Sequence, residues 1–234
     1  MNKCKSLLAT SLIFCLSVAC AKTDIIDEAQ SAFASRNYEV ALRLYSEAAD
    51  QGNAVAAFQL GAMYETGKGT SANLAEAIRW YEKSLKGRSS SSAKRLANMY
   101  FDGEGVSQDF AKAAELYQLA GEFGDTNSYF FLGQAYWSGT FGQRNATKAF
   151  EAFSKAAVLG HAGAHNSLAI AYQFGEGVAK SDARAFAHFK RAAELGDIAA
   201  RANLPVMESK IPAGEKTEGL KFLEELRAQA KPTN

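Results

Sequence analysis

Cysteine is nearly missing from this chain of 234 residues, which has only Cys4, Cys15 and Cys20. All three precede Lys22, so a chain that begins at Lys22 after processing contains no thiol. Such a chain has no disulfide, no thiolate ligand for a metal and no cysteine nucleophile.

An excess of basic residues is missing as well. The whole chain has 26 basic and 25 acidic residues, and removal of Lys3 and Lys5 with a leader leaves a net charge of 24 − 25 = −1. Proteins that bind duplex nucleic acid normally show a basic excess, because neutralising phosphates supplies most of the affinity. We expect no nucleic-acid partner.

The chain also lacks an apolar run long enough to span a membrane. The 13 residues from Leu7 to Ala19 fall short of that length, because a membrane-spanning helix needs ~20 residues. Together with the preceding lysines they are typical of a secretory signal peptide, here residues 1–21. Residues 16–20 also resemble a bacterial lipoprotein box, in which Cys20 would be lipidated. Both interpretations predict export, to the periplasm or to an outer-membrane anchor through Cys20, without a transmembrane segment.

The dominant feature that is present is a repeat of 36 residues without insertions. A fixed period in this range predicts a solenoid, in which each unit buries its apolar face against its neighbours. The question of function is therefore what the stacked units bind. The repeated residues are Leu60, Leu96, Leu132, Leu168 and Leu204, then Tyr64, Tyr100, Tyr136 and Tyr172, then Gly67, Gly103, Gly139 and Gly175, and Ala41, Ala77, Ala113, Ala149 and Ala185.

Each repeat predicts two amphipathic helices, named A and B, because small and apolar residues recur at helical spacing. Glycines between the helices, as in Gly103-Glu104-Gly105, are expected to take a positive φ and turn the chain. Residues that can cap a helix precede both helices on the same spacing. They are Asn53, Ser89, Asp125, His161 and Asp197 for helix A, and Asn37, Asn73, Asp109, Asn145, Ser181 and Thr217 for helix B.

Segments such as LANMYFDGEGVSQDFAKAAELYQLAGEFGD, which begins at Leu96, resemble the Sel-1-like repeat, a relative of the tetratricopeptide repeat with a longer turn. The resemblance covers about residues 38–204. It implies an all-α fold, a right-handed α/α solenoid superhelix of helix-turn-helix units. It also implies a platform that assembles other proteins, often at the bacterial envelope, and it names no substrate.

These features predict the organisation of the chain after the signal peptide. The solenoid covers residues 22–211, with a unit more like a plain tetratricopeptide repeat at 24–52, full repeats at about 53–88, 89–124, 125–160 and 161–196, and a partial repeat at 197–211. Pro205 is expected to break or kink the last helix A. A capping helix within 212–230, about Ala213 to Gln229, should expose Lys221 and Glu225 to water, and 231–234 form a tail.

Residues that could carry chemistry are few, and each has a structural explanation. His161 and His165 lie four residues apart and could bind a metal with His188, but the repeat places all three at capping or packing positions. Ser91 and Lys94 form a Ser-x-x-Lys motif of the β-lactamase type, without its companion motifs. A cysteine-rich branch of the repeat family has been linked to β-lactams, but this chain lacks its paired cysteines. We expect no enzyme activity, no metal and no cofactor.

A binding groove is predicted on the concave side of the solenoid by analogy with tetratricopeptide repeats. The candidates do not repeat, unlike the core, and aromatics beside amides are typical of a recognition surface. In an alternative interpretation Phe101, Phe130 and Trp137 pack between adjacent A helices. The candidate groove residues are Phe58, Lys94, Asn98, Phe101, Asn127, Phe130, Gln134, Trp137, Asn166, Ile170 and Phe174.

The sequence thus predicts a non-enzymatic interaction scaffold of the bacterial cell envelope. Its expected partner is another envelope protein or a peptide, bound in the concave groove. One alternative is a binder of peptidoglycan or another glycan that stacks sugar rings on Phe130 and Trp137. A weaker alternative is a β-lactam hydrolase.

Overall fold

A computed structural model describes residues 25–229, and over this range the chain forms twelve α-helices and no strand. The predicted all-α repeat fold is confirmed. The proposed signal peptide, Cys20 and the tail lie outside the described residues. The helices are α1 (25–34), α2 (Tyr38–Asp50), α3 (Ala54–Thr66), α4 (Leu74–Leu85), α5 (Ser90–Asp102), α6 (Phe110–Glu122), α7 (Thr126–Ser138), α8 (Ala146–Val158), α9 (Ala162–Phe174), α10 (Asp182–Glu194), α11 (Ile198–Lys210) and α12 (Ala213–Gln229).

The described helices fall into two compact units. The first unit contains α1 to α4, α5 as far as Leu96, and loop residues 104–107. In it, α2 packs on α3 and α3 packs on α4. The second unit contains the rest of α5 and the chain from Gln108 onward. There each helix from α6 to α10 packs on the next, and α12 packs on α10.

Side-chain caps begin the A helices at the residues that the sequence predicts. Asn53, Asp125 and Asp197 each accept a hydrogen bond from the backbone N–H three residues later, at 2.9, 2.9 and 2.7 Å. His161 does the same through Nδ1 at 3.1 Å, and Ser89 does so through Oγ at 3.2 Å. Each cap satisfies an N–H that the helix itself leaves without a partner. The B helices α4, α6, α8 and α10 are capped likewise by Asn73, Asp109, Asn145 and Ser181. The prediction for Asn37 is wrong, because its side chain makes no cap hydrogen bond to α2.

Two predictions about the C-terminal part are wrong. Thr217 does not cap a helix, because α12 begins four residues earlier and the Thr217 hydroxyl donates to the Ala213 carbonyl within it. Pro205 does not break α11, which continues to Lys210. Pro205 and Arg201 are both exposed, so the Arg201 carbonyl that loses its helical donor can bond to water instead.

The leucines and alanines on the 36-residue spacing form the core, whereas Tyr64, Tyr100 and Tyr136 are half-buried. Leu60, Leu96, Leu132 and Leu168 are between 1% and 5% exposed, whereas Leu204 is half-buried. In the capping helix α12, Leu223 is buried, and Lys221 and Glu225 are exposed as predicted. The aromatic residues of the B helices, Tyr45, Tyr81, Tyr117, Phe153 and Phe189, are also buried.

Candidate functional site

Successive repeats place three equivalent positions in one neighbourhood, which we call a junction. The positions are the fifth residue after the repeated leucine, the B-helix aromatic, and the residue before the next repeated leucine. The first junction is Glu65, Tyr81 and Arg95, in the first unit. The second junction is Phe101, Tyr117 and Phe131, and the third is Trp137, Phe153 and Ser167, both in the second unit.

Polar groups fill the first junction. The Tyr81 hydroxyl donates to Glu65 Oε2 at 2.7 Å, and Arg95 Nε donates to the same oxygen at 2.8 Å. Arg95 Nη2 also donates to Glu104 at 2.6 Å. Burial would raise the pKa of Glu65, but the hydrogen bonds from Arg95 and Tyr81 outweigh it and hold that pKa below its ordinary value. The three side chains therefore form one ionic network.

Aromatic rings fill the second junction. The Phe131 ring lies 4.6 Å from the Tyr117 ring and 5.6 Å from the Phe101 ring, measured between centroids. Phe141, from the turn before α8, packs on Phe101 at 5.9 Å. The Tyr117 hydroxyl donates a hydrogen bond to a residue outside the cluster, Asn98, at its Oδ1, at 2.5 Å. These edge and tilted contacts are the arrangements that aromatic pairs prefer.

The third junction is open. Trp137, Phe153 and Ser167 line a cavity of about 300 Å³, together with Gln134 and Ile170. Ser167 stands at the position of Arg95 and Phe131, and its short side chain does not reach across the space that the larger residues fill. Its hydroxyl bonds instead to the Gly163 carbonyl of its own helix at 3.0 Å. Because the first and second junctions are filled at this position, the open third junction is the candidate binding site.

Neighbouring residues contact the two aromatic side chains that form the walls of the third junction. The Arg144 guanidinium lies over the Trp137 ring at 4.6 Å and donates to Glu176 at 2.9 Å. On the other wall, Phe153 covers Gly133, where an added Cβ would approach the ring to 2.5 Å. The Phe153 ring also packs on Phe130 at 5.8 Å. These contacts restrain both rings before any ligand arrives.

The structure brings three of the predicted groove residues together, namely Gln134, Trp137 and Ile170 at the third junction. Asn127 and Phe174 are exposed, Phe174 to 68%. Ser167 was not among the predicted groove residues, because a serine on a helix carries no chemical signal by itself. The missing large residue at that repeat position was the signal that could have found it.

Other predicted groove residues contact their own chain. In the second unit Phe130 stacks on His161 at 4.1 Å and Phe101 belongs to the second junction, so both have the packing role that the alternative interpretation gave them. Asn166 is half-buried, and its Oδ1 is buried without a hydrogen-bond partner among the described residues. In the first unit Phe58 packs on Tyr81 at 5.5 Å, and Lys94 is half-buried.

The three histidines do not form one cluster. His165 and His188 are buried, with their Nδ1 atoms 2.9 Å apart, whereas His161 caps α9 and stacks on Phe130. Within residues 25–229 no group of three or more metal-ligating side chains lies close enough to hold a metal. Ser89 and Ser92 of the serine run bond to each other at the start of α5, at 3.1 Å.

Across residues 25–229, no helix combines the length and the apolar character that crossing a membrane requires. The family model described as the Sel1 repeat matches residues 30–53, 54–87, 90–125, 126–161 and 162–197. No curated protein matches the chain.

Solved structures are similar to this chain. A Sel1 repeat protein from Oxalobacter formigenes is 29% identical over 81% of this chain and 79% of its own, with a TM-score of 0.59. A protective antigen from uropathogenic Escherichia coli is 23% identical over 90% of this chain and 54% of its own, with a TM-score of 0.47. The cysteine rich protein B of Helicobacter pylori is 26% identical over 56% and 94%, with a TM-score of 0.42. The first likeness supports the repeat fold, and the other two are too distant to add to it.

Proposed function

The chain belongs to the Sel1 repeat family, whose members generally mediate protein–protein interactions, and from this premise we propose a non-enzymatic scaffold that binds a partner protein at the third junction. We also propose that it works in the bacterial cell envelope, because residues 1–21 have the pattern of an export signal. The expected partner is then another envelope protein or a peptide segment of one.

The observation that carries the proposal is that the third junction is open while the chain fills the first and second with its own side chains. The second junction also indicates what fits, since Phe131 occupies there the position that Ser167 holds in the third. We therefore propose that an aromatic or large aliphatic side chain of the partner enters the cavity beside Trp137. Burying such a side chain contributes on the order of 2 to 3 kcal/mol, and a few anchors of this kind dominate the affinity of most interfaces.

Polar groups near the cavity suit the backbone of an extended segment. Gln134 lies exposed on α7, and Ser138 at the end of that helix is exposed too; both line the cavity. Side-chain amides can bond to the N–H and C=O groups of a bound strand, and preformed helices lose little conformational entropy on binding.

A photo-crosslinking residue at Gln134, introduced in the cells of origin, tests the proposal. We expect a protein adduct that disappears when Ser167→Phe fills the cavity as Phe131 fills the second junction. Ser91→Phe is the matched control, because Ser91 is an exposed serine on α5 outside the junctions, and it should leave the adduct unchanged.

Two outcomes would contradict the proposal. One is an adduct that survives Ser167→Phe in a protein whose melting temperature is unchanged. The other is retention on isolated cell-wall sacculi that Ser167→Phe abolishes while no protein adduct forms, which would favour the glycan-binding alternative. Fractionation of the same cells tests the envelope location, and recovery in the cytoplasm would contradict that part.

A further inference from the structure

A second cavity, of about 190 Å³, lies in the second unit and is lined by residues of α8, α9, α10 and α12. Its walls are mainly apolar and include Phe150, Leu168, Phe222 and Leu226. An apolar cavity of about 150 Å³ in another protein is large enough to bind benzene. This cavity therefore has room for one small ring.

One part of the cavity is polar, because both buried histidines line it. His165 and His188 are 3% and 4% exposed. The His188 ring is stacked on the Tyr172 ring at 5.5 Å and meets the Phe222 ring edge to face at 5.7 Å. The His188 imidazole is thus fixed by packing on two sides.

The two imidazoles are neutral at neutral pH. Burial, followed by the nearby Arg191, lowers the pKa of His165 to about 4. Burial, followed by His165 and Arg184, lowers the pKa of His188 to about 3. The same arginines disfavour a metal cation at this pair, and moving an anion from water into the mainly apolar cavity costs its hydration.

Counting donors and acceptors shows what the pair has to offer a ligand. Two neutral imidazoles carry two N–H groups and two lone pairs, and the Nδ1–Nδ1 hydrogen bond uses one of each. The Nε2 of one ring therefore carries the second N–H and the Nε2 of the other ring carries a lone pair. In the tautomer in which His188 donates to His165, that lone pair lies on Nε2 of His188.

The repeat does not require this polar pair. The position of His165 is held by Ala57, Ala93 and Tyr129 in other repeats, and that of His188 by Trp80, Leu116 and Ala152. All six of these residues are buried. The fold therefore packs without imidazoles here, and a histidine pair facing a ring-sized cavity is specific to this repeat.

We propose that this cavity binds a small, neutral, ring-shaped molecule with one hydrogen-bond donor, a phenol in the simplest case, whose hydroxyl donates to Nε2 of His188. The ring contacts Leu168 and Phe222. This site is distinct from the third junction, so the proposal does not depend on the proposed function.

Titration of the full chain with phenol, toluene and benzoate at pH 7, followed by NMR shifts, tests the proposal. We expect phenol to bind with a Kd of about 1 mM or tighter, as its size allows. Toluene should bind about five- to tenfold more weakly, because it lacks the donor. Benzoate should bind more weakly than phenol, since its carboxylate has no hydrogen to donate to the lone pair and loses its hydration in a mainly apolar cavity. Equal binding of phenol and toluene, or shifts outside the cavity, would overturn the proposal.

Two variants test whether phenol binds in this cavity and whether His188 recognises its hydroxyl. Ala157→Leu places a leucine where the equivalent Leu85 stands, and we expect it to fill the cavity and abolish binding of both neutral probes. His188→Leu should remove the preference for phenol over toluene while toluene still binds. Ser91→Phe is the control, at an exposed serine of α5 that does not line the cavity, and it should leave phenol binding unchanged. Phenol binding that persists in a folded Ala157→Leu protein would contradict the assignment to this cavity.

Discussion

The first and third junctions occupy equivalent places in the repeat but hold opposite contents. In the first unit, Arg95 bridges Glu65 and Glu104 and closes the space with ion pairs. In the second unit, the equivalent Ser167 leaves about 300 Å³ open beside Trp137. The helices at both junctions are nevertheless capped alike and carry a buried repeated leucine. The helical frame therefore does not dictate what fills a junction, and that position is free to serve recognition.

The largest expected effect comes from truncating a buried leucine of the repeated core, which all the junctions share. Leu132 is 5% exposed, and Leu132→Ala should lower the free energy of unfolding by about 2 to 5 kcal/mol, through lost burial and the cavity that remains. Urea unfolding followed by circular dichroism measures it. Leu220→Ala, at a leucine that is 41% exposed, should cost much less. Equal losses of unfolding free energy in the two variants would show that the repeated leucines do not form the core.

The next largest effect is on the pH dependence of the free energy of unfolding. It is seen by comparing the buried His165–His188 pair with the equivalent residues one repeat earlier. The folded state lowers the pKa of His165 from 6.5 to about 4, so the unfolded state takes up protons first as the pH falls. Stability from this source is complete above pH 6.5 and is lost between pH 6.5 and about 4. The loss approaches 3 kcal/mol for one proton, at about 1.4 kcal/mol per pH unit.

Urea unfolding at pH 7, 6 and 5 measures this loss. The variant His165→Tyr with His188→Ala copies the equivalent Tyr129 and Ala152, and it should flatten the profile between pH 6.5 and 5. Arg184, Arg191, Glu194 and His161 also act on the pair, but the variant retains them. A profile that stays equally steep would assign the acid sensitivity to other groups.

Converting the second junction into the third should have a smaller effect. Phe131→Ser puts the residue of the open junction into the aromatic cluster. Phe131 is half-buried, so we expect a loss of about 2 kcal/mol, below the 3 to 5 kcal/mol of a fully buried phenylalanine. Thermal unfolding measures the loss, and a crystal structure shows whether a cavity opens beside Tyr117. If the neighbouring rings close the gap, the openness of the third junction depends on more than Ser167.

The sequence predicted the frame better than the site, for physical reasons. Caps such as Asn53 and Asp125 act through bonds to residues three positions away, so the local sequence determines them. Whether Trp137 faces a cavity or Phe101 faces a ring depends on residues about thirty positions later, Ser167 and Phe131. The predicted groove residues were chosen one helix at a time, so the pairing of Trp137 with Ser167 and of Phe101 with Phe131 was missed. It also grouped His161 with His165 from helical spacing, whereas the cap holds His161 away from the buried pair.

The smallest effect tests whether the third junction can be given the contents of the first. Trp137→Glu and Ser167→Arg together place a carboxylate and a guanidinium where Glu65 and Arg95 meet. A double-mutant cycle should give a favourable coupling of about 0.5 to 1 kcal/mol that shrinks at high salt, as for partly exposed ion pairs. Phe153 lacks the hydroxyl by which Tyr81 supports Glu65, so the rebuilt pair should be weaker than the original. A coupling of zero would mean that the backbone holds the third junction wider than the first, and the cavity would then be a property of the helices and not of Ser167.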